Sequence, residues 1–275
     1  CKGANEPLPQ GFELVKPTEA EIAEVAEFPY RQLVGSLIYI CRCAYPILSF
    51  AVSILSKFNS GWSIREVKAA KHCLRFTSTL IDKPFTVCPI SSKNDPIQVD
   101  LISDASYMPK SIGTTTKSRT GWIVMLAGVP IQWRSKQQSR PAQSSSEAET
   151  YAACDGAKEL SWVKQFIENV YGEFKPDVQL QLYDDSMATI KGINSGLLTD
   201  RNKHYFANME FITDMVDSKE LEVTFCPTDI MLADVLTKNV GKVKVQQFMM
   251  YMNNYIKWVQ DVERLGRRKR KAVSI

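Results

Sequence analysis

The 275-residue chain has 44% hydrophobic and 23% charged residues, a globular composition that excludes an intrinsically disordered chain. Its formal net charge of +4 is modest, and five basic residues are concentrated in the run Arg267-Arg268-Lys269-Arg270-Lys271. The longest apolar stretches, near 33–40 and 47–55, are too short to span a bilayer, and no signal-like apolar run opens the sequence. We therefore expect no membrane association.

The seven cysteines are scattered without a Cys-x-x-Cys pair, and the chain has two histidines. This pattern argues against a zinc site and predicts reduced thiols in a reducing compartment. The sequence does not start with methionine, which favours a fragment of a longer product.

The first third of the chain predicts a polar segment followed by a small helical unit. Residues 1–28 are polar and acidic, contain three prolines, and predict a linker or strap. Apolar residues at helical spacing then predict three helices, at 30–43, 46–59 and 63–80. Ser63 and Glu66 form a capping-box signature at the start of the third helix. We therefore predict a helical unit over 29–90, with a boundary loop at 91–95.

From residue 96 the pattern changes to a mixture of strands and helices. A buried strand at 97–103 precedes two β-rich runs, at 121–127 and 129–135, that Gly128 joins into a hairpin. The further predicted elements are helices at 144–171, 186–193, 202–218 and 230–238 and strands at 178–183 and 221–226. This order predicts an α/β domain over 96–240, a mixed sheet flanked by helices. Residues 241–275 predict a C-terminal helix, at 242–263, and a basic tail.

Four acids stand at positions where packing does not require a carboxylate: Asp104, Glu149, Asp185 and Asp234. Asp104 ends the first strand, and Asp185 follows a later one. Glu149 precedes the small residues of a helix face, whereas Asp234 interrupts an apolar helix face. A turn, a cap or a solvated helix face would explain any one of them alone, as helix capping and the helix dipole explain Glu147.

Four carboxylates converging on one sheet face would repel one another unless cations lie among them. Oxygen ligands without histidine or thiolate select magnesium, for which manganese can substitute. Two such ions about 4 Å apart suit in-line phosphodiester cleavage, because one activates a water and the other stabilises the leaving oxygen. The pattern therefore predicts a two-metal hydrolytic site.

Seven short motifs surround these acids in chain order between about residues 96 and 240. They are Ser103-Asp104-Ala105-Ser106, Thr120-Gly121-Trp122, Ser144-Ser145-Ser146-Glu147-Ala148-Glu149, Leu182-Tyr183-Asp184-Asp185, Lys203-His204, Pro227-Thr228 and Leu232-Ala233-Asp234-Val235-Leu236-Thr237-Lys238. As a set they resemble the ribonuclease H domain of copia-type (Ty/copia) retrotransposon Pol polyproteins. Upstream, 30–37 and 50–56 resemble the segment that follows the polymerase palm there, so 29–90 is similar to a reverse transcriptase thumb or connection remnant.

The resemblance implies a ribonuclease H-like fold with a mixed five-stranded sheet. It also implies magnesium-dependent endonucleolytic hydrolysis of the RNA strand of RNA–DNA hybrids during reverse transcription. Carried over by position, the catalytic and metal-binding set is Asp104, Glu149, Asp185 and Asp234. The implied partners are the RNA–DNA hybrid and the upstream palm and fingers of the same polyprotein. The polymerase's Tyr-x-Asp-Asp motif is missing, so we expect no polymerase activity from this chain alone.

Substrate contacts are predicted from polar and basic residues in connections and strand ends near the acids. The candidates are Ser106, Arg134, Lys136, Arg201, Lys203 and His204, with Lys110, Lys117 and Arg119 in the same basic group. A solvated surface role explains the basic residues equally well, and a capping or core role does so for His204. Three tryptophans are most simply interpreted as core residues: Trp122, Trp133 and Trp162.

The leading hypothesis is thus a ribonuclease H of a retroelement, located in a cytoplasmic virus-like particle. Nuclear import through the terminal basic run is an open alternative. The alternative function is a catalytically decayed or domesticated fragment that binds nucleic acid or a partner. A structural connection domain is a third interpretation, and it predicts missing acids. The presence of all four acids favours the enzyme.

Overall fold

The computed structural model describes residues 3–81, 83, 95–107, 117–174, 176–200 and 202–273, with the backbone only for 268–273. Five strands form one sheet in these residues: β1 (Ile97–Ser106), β2 (Arg119–Leu126), β3 (Val129–Gln137), β4 (Val178–Asp184) and β5 (Leu221–Phe225). The strand order is β3-β2-β1-β4-β5. The pairs β1–β2 and β2–β3 are antiparallel, whereas β1–β4 and β4–β5 are parallel. The predicted mixed five-stranded sheet is confirmed.

The hairpin between β2 and β3 closes through a two-residue turn. Ala127 has φ 49° and Gly128 has φ 81°, the pair of positive φ values that a tight type I′ turn requires. The predicted hairpin is therefore confirmed, and it sets the antiparallel edge of the sheet. The central strand β1 is longer than predicted, because it continues through Asp104 to Ser106.

One face of the sheet, here called the α5 face, is covered by α5 (Ser145–Tyr171), α6 (Met187–Ser195) and α7 (Phe206–Asp217). The Ser144 side chain accepts from the Glu147 amide and caps α5 as predicted. Small residues let α5 approach β1 closely, since a Cβ on Gly156 would lie 2.5 Å from a Leu101 methyl. This close packing fixes the start of α5 against the centre of the sheet.

The opposite face, here called the α8 face, is covered by helices from both ends of the chain. They are α2 (Tyr30–Cys43), α3 (Ser49–Leu55), α4 (Ile64–Ser78), α8 (Asp234–Thr237), α9 (Lys242–Met252) and α10 (Tyr255–Val273). One continuous hydrophobic core joins them to the sheet and includes Leu8 from the N-terminal segment. Polar anchors reinforce it, such as the Trp258 indole N–H donating to the Ile230 carbonyl at 2.8 Å.

Several predicted elements differ from the structure. The helix predicted at 46–59 is a short α3 flanked by the 3-10 turns Pro46–Leu48 and Ser56–Phe58. The helix predicted at 230–238 shortens to α8, because Met231 is extended with ψ 115°. The C-terminal helix is two helices, since Asn254 accepts from the Lys257 amide and caps a new helix.

Other predictions have mixed outcomes. The capping box of Ser63 and Glu66 is confirmed. An unpredicted helix, α1 (Glu19–Glu24), lies within the N-terminal segment, and Trp162 is 57% exposed rather than in the core. Residues 91–94 of the predicted boundary loop lie outside the described residues. Among the described helices, none combines the length and apolar character needed to cross a bilayer.

Candidate functional site

Three of the four predicted acids lie together beside the carboxyl ends of β1 and β4. Asp104 lies on β1, Glu149 near the start of α5, and Asp185 directly after β4. Their carboxylate oxygens lie within 4.8 Å of one another. Because β1 and β4 are parallel, their carboxyl ends meet at one edge of the sheet, and the close packing of α5 brings Glu149 there.

Glu149 and Glu147 lie two residues apart on α5, so they point to different sides of the helix and have different surroundings. Glu147 accepts hydrogen bonds from the Gln143 amide at 2.6 Å and the Tyr151 hydroxyl at 2.8 Å, and it lies 3.1 Å from His204 Nε2. Glu149 is 8% exposed, and its buried Oε2 has no hydrogen-bond partner among the residues that the structure describes. A buried carboxylate oxygen without a donor is the kind of group that a cation satisfies.

The adjacent aspartates after β4 also differ. Asp184 is buried and accepts from the Ser103 hydroxyl at 2.9 Å and the Ser186 amide at 2.8 Å. These bonds hold the turn from β4 into α6 and leave Asp185 to face Asp104 and Glu149. The hydrogen-bond partners therefore separate a structural aspartate from a ligand candidate.

Asp234 lies beside this cluster and is joined to it through a lysine. Lys238 Nζ lies 2.6 Å from Asp234 Oδ1 and 3.5 Å from Asp104 Oδ2. Lys244 Nζ lies 3.0 Å from the other oxygen of Asp234. The Thr237 hydroxyl donates to the Asp104 carboxylate. The fourth predicted acid is thus near the cluster, but its oxygens are engaged by two ammonium groups.

Burial and mutual repulsion shape the charge of this cluster. Burial raises the pKa of Asp104 to about 6, against the opposing charge of Lys238. Burial also raises the pKa of Asp184 to about 7. For Glu149, burial and then the nearby aspartates raise the pKa well above its usual range. Carboxyl groups that resist ionisation in this way favour a bound cation.

The residues present fit a hard divalent cation. The cluster offers carboxylate oxygens without histidine or thiolate, the donor set that magnesium and manganese prefer. The unpartnered Glu149 oxygen supplies an unused ligand atom inside it. Asp104, Glu149 and Asp185 could therefore hold such an ion.

The predicted substrate residues divide between two cavities. Ser106 lines a cavity of about 280 Å³ with Thr237 and Lys238, next to the acids. Lys136 and His204 line a second cavity, of about 350 Å³. Two further basic residues border this second cavity, Arg140 and Lys158.

Two predicted basic contacts are engaged elsewhere. Arg134 pairs with Asp155 at 3.0 Å and lies over the Trp122 ring, so it fastens β3 to α5. Arg119 is 2% exposed, and the prediction that it meets phosphates is wrong because its side chain is buried.

The remaining basic candidates lie at the surface or outside the described part of the chain. Lys203 is exposed and lies 3.6 Å from Asp200. Arg201 and Lys110 lie outside the described residues.

The sequence interpretation missed the two lysines at Asp234. The four-residue spacing from Asp234 to Lys238 is a visible signal, since residues at this spacing share a helix face. No local pattern identifies Lys244, which belongs to the next helix and reaches Asp234 only in the folded chain.

Comparisons with known proteins agree with these observations. The chain is 30% identical over 234 residues to the retrovirus-related Pol polyprotein from transposon TNT 1-94 of Nicotiana tabacum, covering 83% of the chain and 16% of the relative. It is 30% identical over 244 residues to the Pol polyprotein from transposon RE2 of Arabidopsis thaliana, covering 88% of the chain and 15% of the relative. The chain thus spans a small part of these relatives. No protein-family model matches it.

Two solved structures that resemble the chain are ribonuclease H proteins. The N-terminal RNase H domain of a Mycobacterium tuberculosis protein, solved as a fusion, matches with 11% identity and a TM-score of 0.37, covering 58% of this chain and 99% of that one. LC11-RNase H1, solved with an RNA/DNA hybrid, matches with 15% identity and a TM-score of 0.33, covering 51% and 92%.

The order and direction of the strands, with helices on both faces, define a ribonuclease H-like fold. Over most of its length, the chain is homologous to the Pol polyproteins of copia-type retrotransposons. The predicted resemblance is confirmed.

Proposed function

We propose that the chain is a metal-dependent ribonuclease H that hydrolyses the RNA strand of RNA–DNA hybrids during retrotransposon reverse transcription. The observation that carries the proposal is the cluster of Asp104, Glu149 and Asp185 with its buried, unpartnered oxygen. The homology to Pol polyproteins supports the same function, because removal of template RNA is a hydrolytic step that reverse transcription requires.

In this proposal Asp104, Glu149 and Asp185 hold magnesium, or manganese in its place, and Asp234 completes the site for two ions. The ions would activate a water for in-line attack and stabilise the leaving oxygen. The Thr237 hydroxyl orients the Asp104 carboxylate. Lys238 and Lys244 each pair with one oxygen of Asp234 and hold its carboxylate beside the cluster.

The substrate side of the proposal uses the two cavities described above. Ser106 lies two residues beyond Asp104 on the same strand and borders the first cavity, so we assign it to the cleaved strand. Lys136 and His204 border the second cavity and are assigned to backbone phosphates. Lys203 and Arg201 are assigned to phosphates from their sequence positions beside His204. Recognition of a hybrid would depend on its groove shape and on 2′-hydroxyl groups.

The upstream palm and fingers of a polyprotein remain the proposed partner, and a cytoplasmic particle the proposed location. The alternative function, a decayed or domesticated fragment, predicts binding without cleavage. The complete acid set disfavours it, because loss of one acid would be enough to inactivate such a site.

The test is cleavage of an end-labelled RNA–DNA hybrid by the full chain with magnesium, beside duplex RNA and RNA alone. Asp185→Asn is the inactivating variant, and Asp217→Asn, at an exposed residue that ends α7, is the matched control. We expect magnesium-dependent cutting of the hybrid's RNA strand by the wild type and the control, and none by Asp185→Asn. Tight hybrid binding without cutting by the wild type would support the alternative instead.

A further inference from the structure

Arg119 is an arginine buried at the antiparallel edge of the sheet. It begins β2 and is 2% exposed, and burial lowers the pKa of its guanidinium to about 10, so it stays charged at neutral pH. In the described part of the chain it forms no ion pair with a carboxylate. A buried, unpaired charge is strongly destabilising unless hydrogen bonds compensate it. The hydrogen-bond partners of Arg119 should therefore compensate for the burial of its charge.

These partners come from two separate parts of the molecule. Arg119 Nη1 donates to the Ser53 hydroxyl at 2.9 Å and to the Ser135 hydroxyl at 3.0 Å. The guanidinium also lies 5.1 Å from the centre of the Phe50 ring. Ser53 and Phe50 belong to α3, and Ser135 to β3. Arg119 thus connects the helical unit of residues 30–78 to the antiparallel edge of the sheet.

The direction of these hydrogen bonds is fixed, because a guanidinium can only donate. The Ser135 oxygen therefore accepts from Arg119, and its own proton is free for another acceptor. It donates to the carbonyl of Leu236 at 2.5 Å. Leu236 lies in α8, which has four residues and cannot hold its position by its own hydrogen bonds. Ser135 thus anchors α8 from outside.

The position of α8 matters for two acids of the proposed site. Asp234 starts α8, and the Thr237 hydroxyl at its end donates to Asp104. The helix lies directly on Gly121 of β2, where a Cβ would be 2.6 Å from the Thr237 methyl and 2.8 Å from Leu236 Cβ. A shift of α8 would therefore move Asp234 and release Asp104 together.

We propose that Arg119 is a positioning residue, which through Ser135 holds α8 so that Asp234 and Thr237 face Asp104. The helical unit is then part of the scaffold of the nuclease site, rather than an independent neighbour of it. This inference rests on the proposed nuclease function, because it assigns a purpose to the position of Asp234.

The test uses the full chain and a deletion of one hydroxyl, Ser135→Ala. Three quantities are measured: Mn²⁺ affinity without nucleic acid by calorimetry, kcat and KM on the hybrid, and the thermal midpoint. We expect Ser135→Ala to lower Mn²⁺ affinity and kcat by about tenfold each, with KM changed far less, as for residues that orient metal ligands. Ser135→Thr, which keeps the hydroxyl, should restore both. Ser53→Ala should also lower Mn²⁺ affinity and kcat, by a smaller factor.

Ser56→Ala is the matched control, because this hydroxyl bonds a carbonyl of the same helical unit without touching Arg119. Wild-type Mn²⁺ affinity and kcat in either Ser135→Ala or Ser53→Ala, whatever the thermal midpoint, would overturn the inference. If the wild type binds Mn²⁺ but does not cleave the hybrid, the proposed function fails and Mn²⁺ affinity alone decides. A tenfold loss in Ser135→Ala with a smaller loss in Ser53→Ala would then still support the positioning role of Arg119, and unchanged affinity in either variant would overturn it.

Discussion

The two faces of the sheet position the proposed metal-binding acids in different ways. On the α5 face, Glu149 lies on a 27-residue helix that packs closely on β1 and carries its own N-cap. On the α8 face, Asp234 lies on a four-residue helix. That helix depends on Ser135 from β3 and on Lys244 from α9.

One half of the site is therefore supported by neighbouring residues, and the other half by segments that are distant in the chain. A long helix against a neighbouring strand keeps its geometry through many contacts, so single changes at its surface have small effects. A four-residue helix has almost no hydrogen bonds of its own, so its position depends on the residues packed around it, and a change at one of these supports can displace it. The α8 face should therefore be the sensitive half of the site.

The largest effect is expected at Asp104, which both halves share. Asp104→Asn should lower hybrid cleavage by at least about a thousandfold, because one of the ligand oxygens loses its charge. Asp100→Asn is the matched control on the same strand, since its buried side chain bonds Gln98 and Tyr255 instead of the cluster. Initial rates with magnesium measure both, and comparable losses in the two variants would contradict the assignment.

When no divalent ion is present, the same variant should raise the stability of the protein, although it lowers cleavage. The raised pKa values of Asp104, about 6, and Asp184, about 7, mean that the folded chain binds more protons than the unfolded chain between about pH 4 and 7. Stability of the ion-free protein should therefore fall as pH rises through this window. Asp104→Asn should remove on the order of 2–3 kcal/mol of this loss.

Chemical unfolding in chelator at pH 4.5 and pH 7.5 measures the effect. The stability gained by Asp104→Asn should be greater at pH 7.5 than at pH 4.5. An equal difference at both pH values would show that Asp104 is not held in a repulsive cluster.

The next largest effect is expected from a change on the α8 face alone. Gly121→Ala places a methyl against Thr237 and Leu236, so it should displace α8. We expect a loss of about 1–3 kcal/mol in stability from overpacking and a loss of cleavage of about 10–100-fold from the misplaced acid. Gly35→Ala, at an open helical position, should not lower either. Activity loss without any change in Mn²⁺ affinity would argue against displacement of Asp234.

The smallest effect is expected for Arg134, which was predicted to contact substrate but pairs with Asp155 and Glu159. Arg134→Ala should cost at most about 1 kcal/mol in stability, because the pair is partly exposed. The affinity of this variant for the RNA–DNA hybrid should depend on salt as that of the wild type does. Lys136→Ala, two residues along β3, should reduce the slope of log affinity against log salt by about one. A reduced slope of log affinity against log salt for Arg134→Ala would show instead that Arg134 contacts a phosphate.

The elements with strong local signals were predictable from the sequence. The bounds of α2, the hairpin at Gly128 and the N-cap of α5 follow from apolar periodicity, turn residues and a capping serine. Three of the four acids come together as the motifs predicted. These predictions are correct because the information that determines each feature lies within a few residues of it.

The remaining features depend on contacts between distant segments. Arg119 has the sequence context of an exposed basic loop residue, and its burial becomes visible only when α3 covers it. The shortening of the helix before Lys238 likewise reflects the buried, extended Met231 in a core shared with both ends of the chain. Local patterns cannot report such packing, so the support of Asp234 was missed.

The most direct test of the metal centre is a calorimetric titration of Mn²⁺ into the ion-free full chain and two variants of neighbouring glutamates. Glu149→Gln removes the unpartnered oxygen of the cluster, whereas Glu147→Gln changes a glutamate that already has its own hydrogen-bond partners. We predict that Glu149→Gln loses Mn²⁺ binding and that Glu147→Gln keeps it. Equal binding by Glu149→Gln and the wild type would contradict the metal centre on which the proposed nuclease depends.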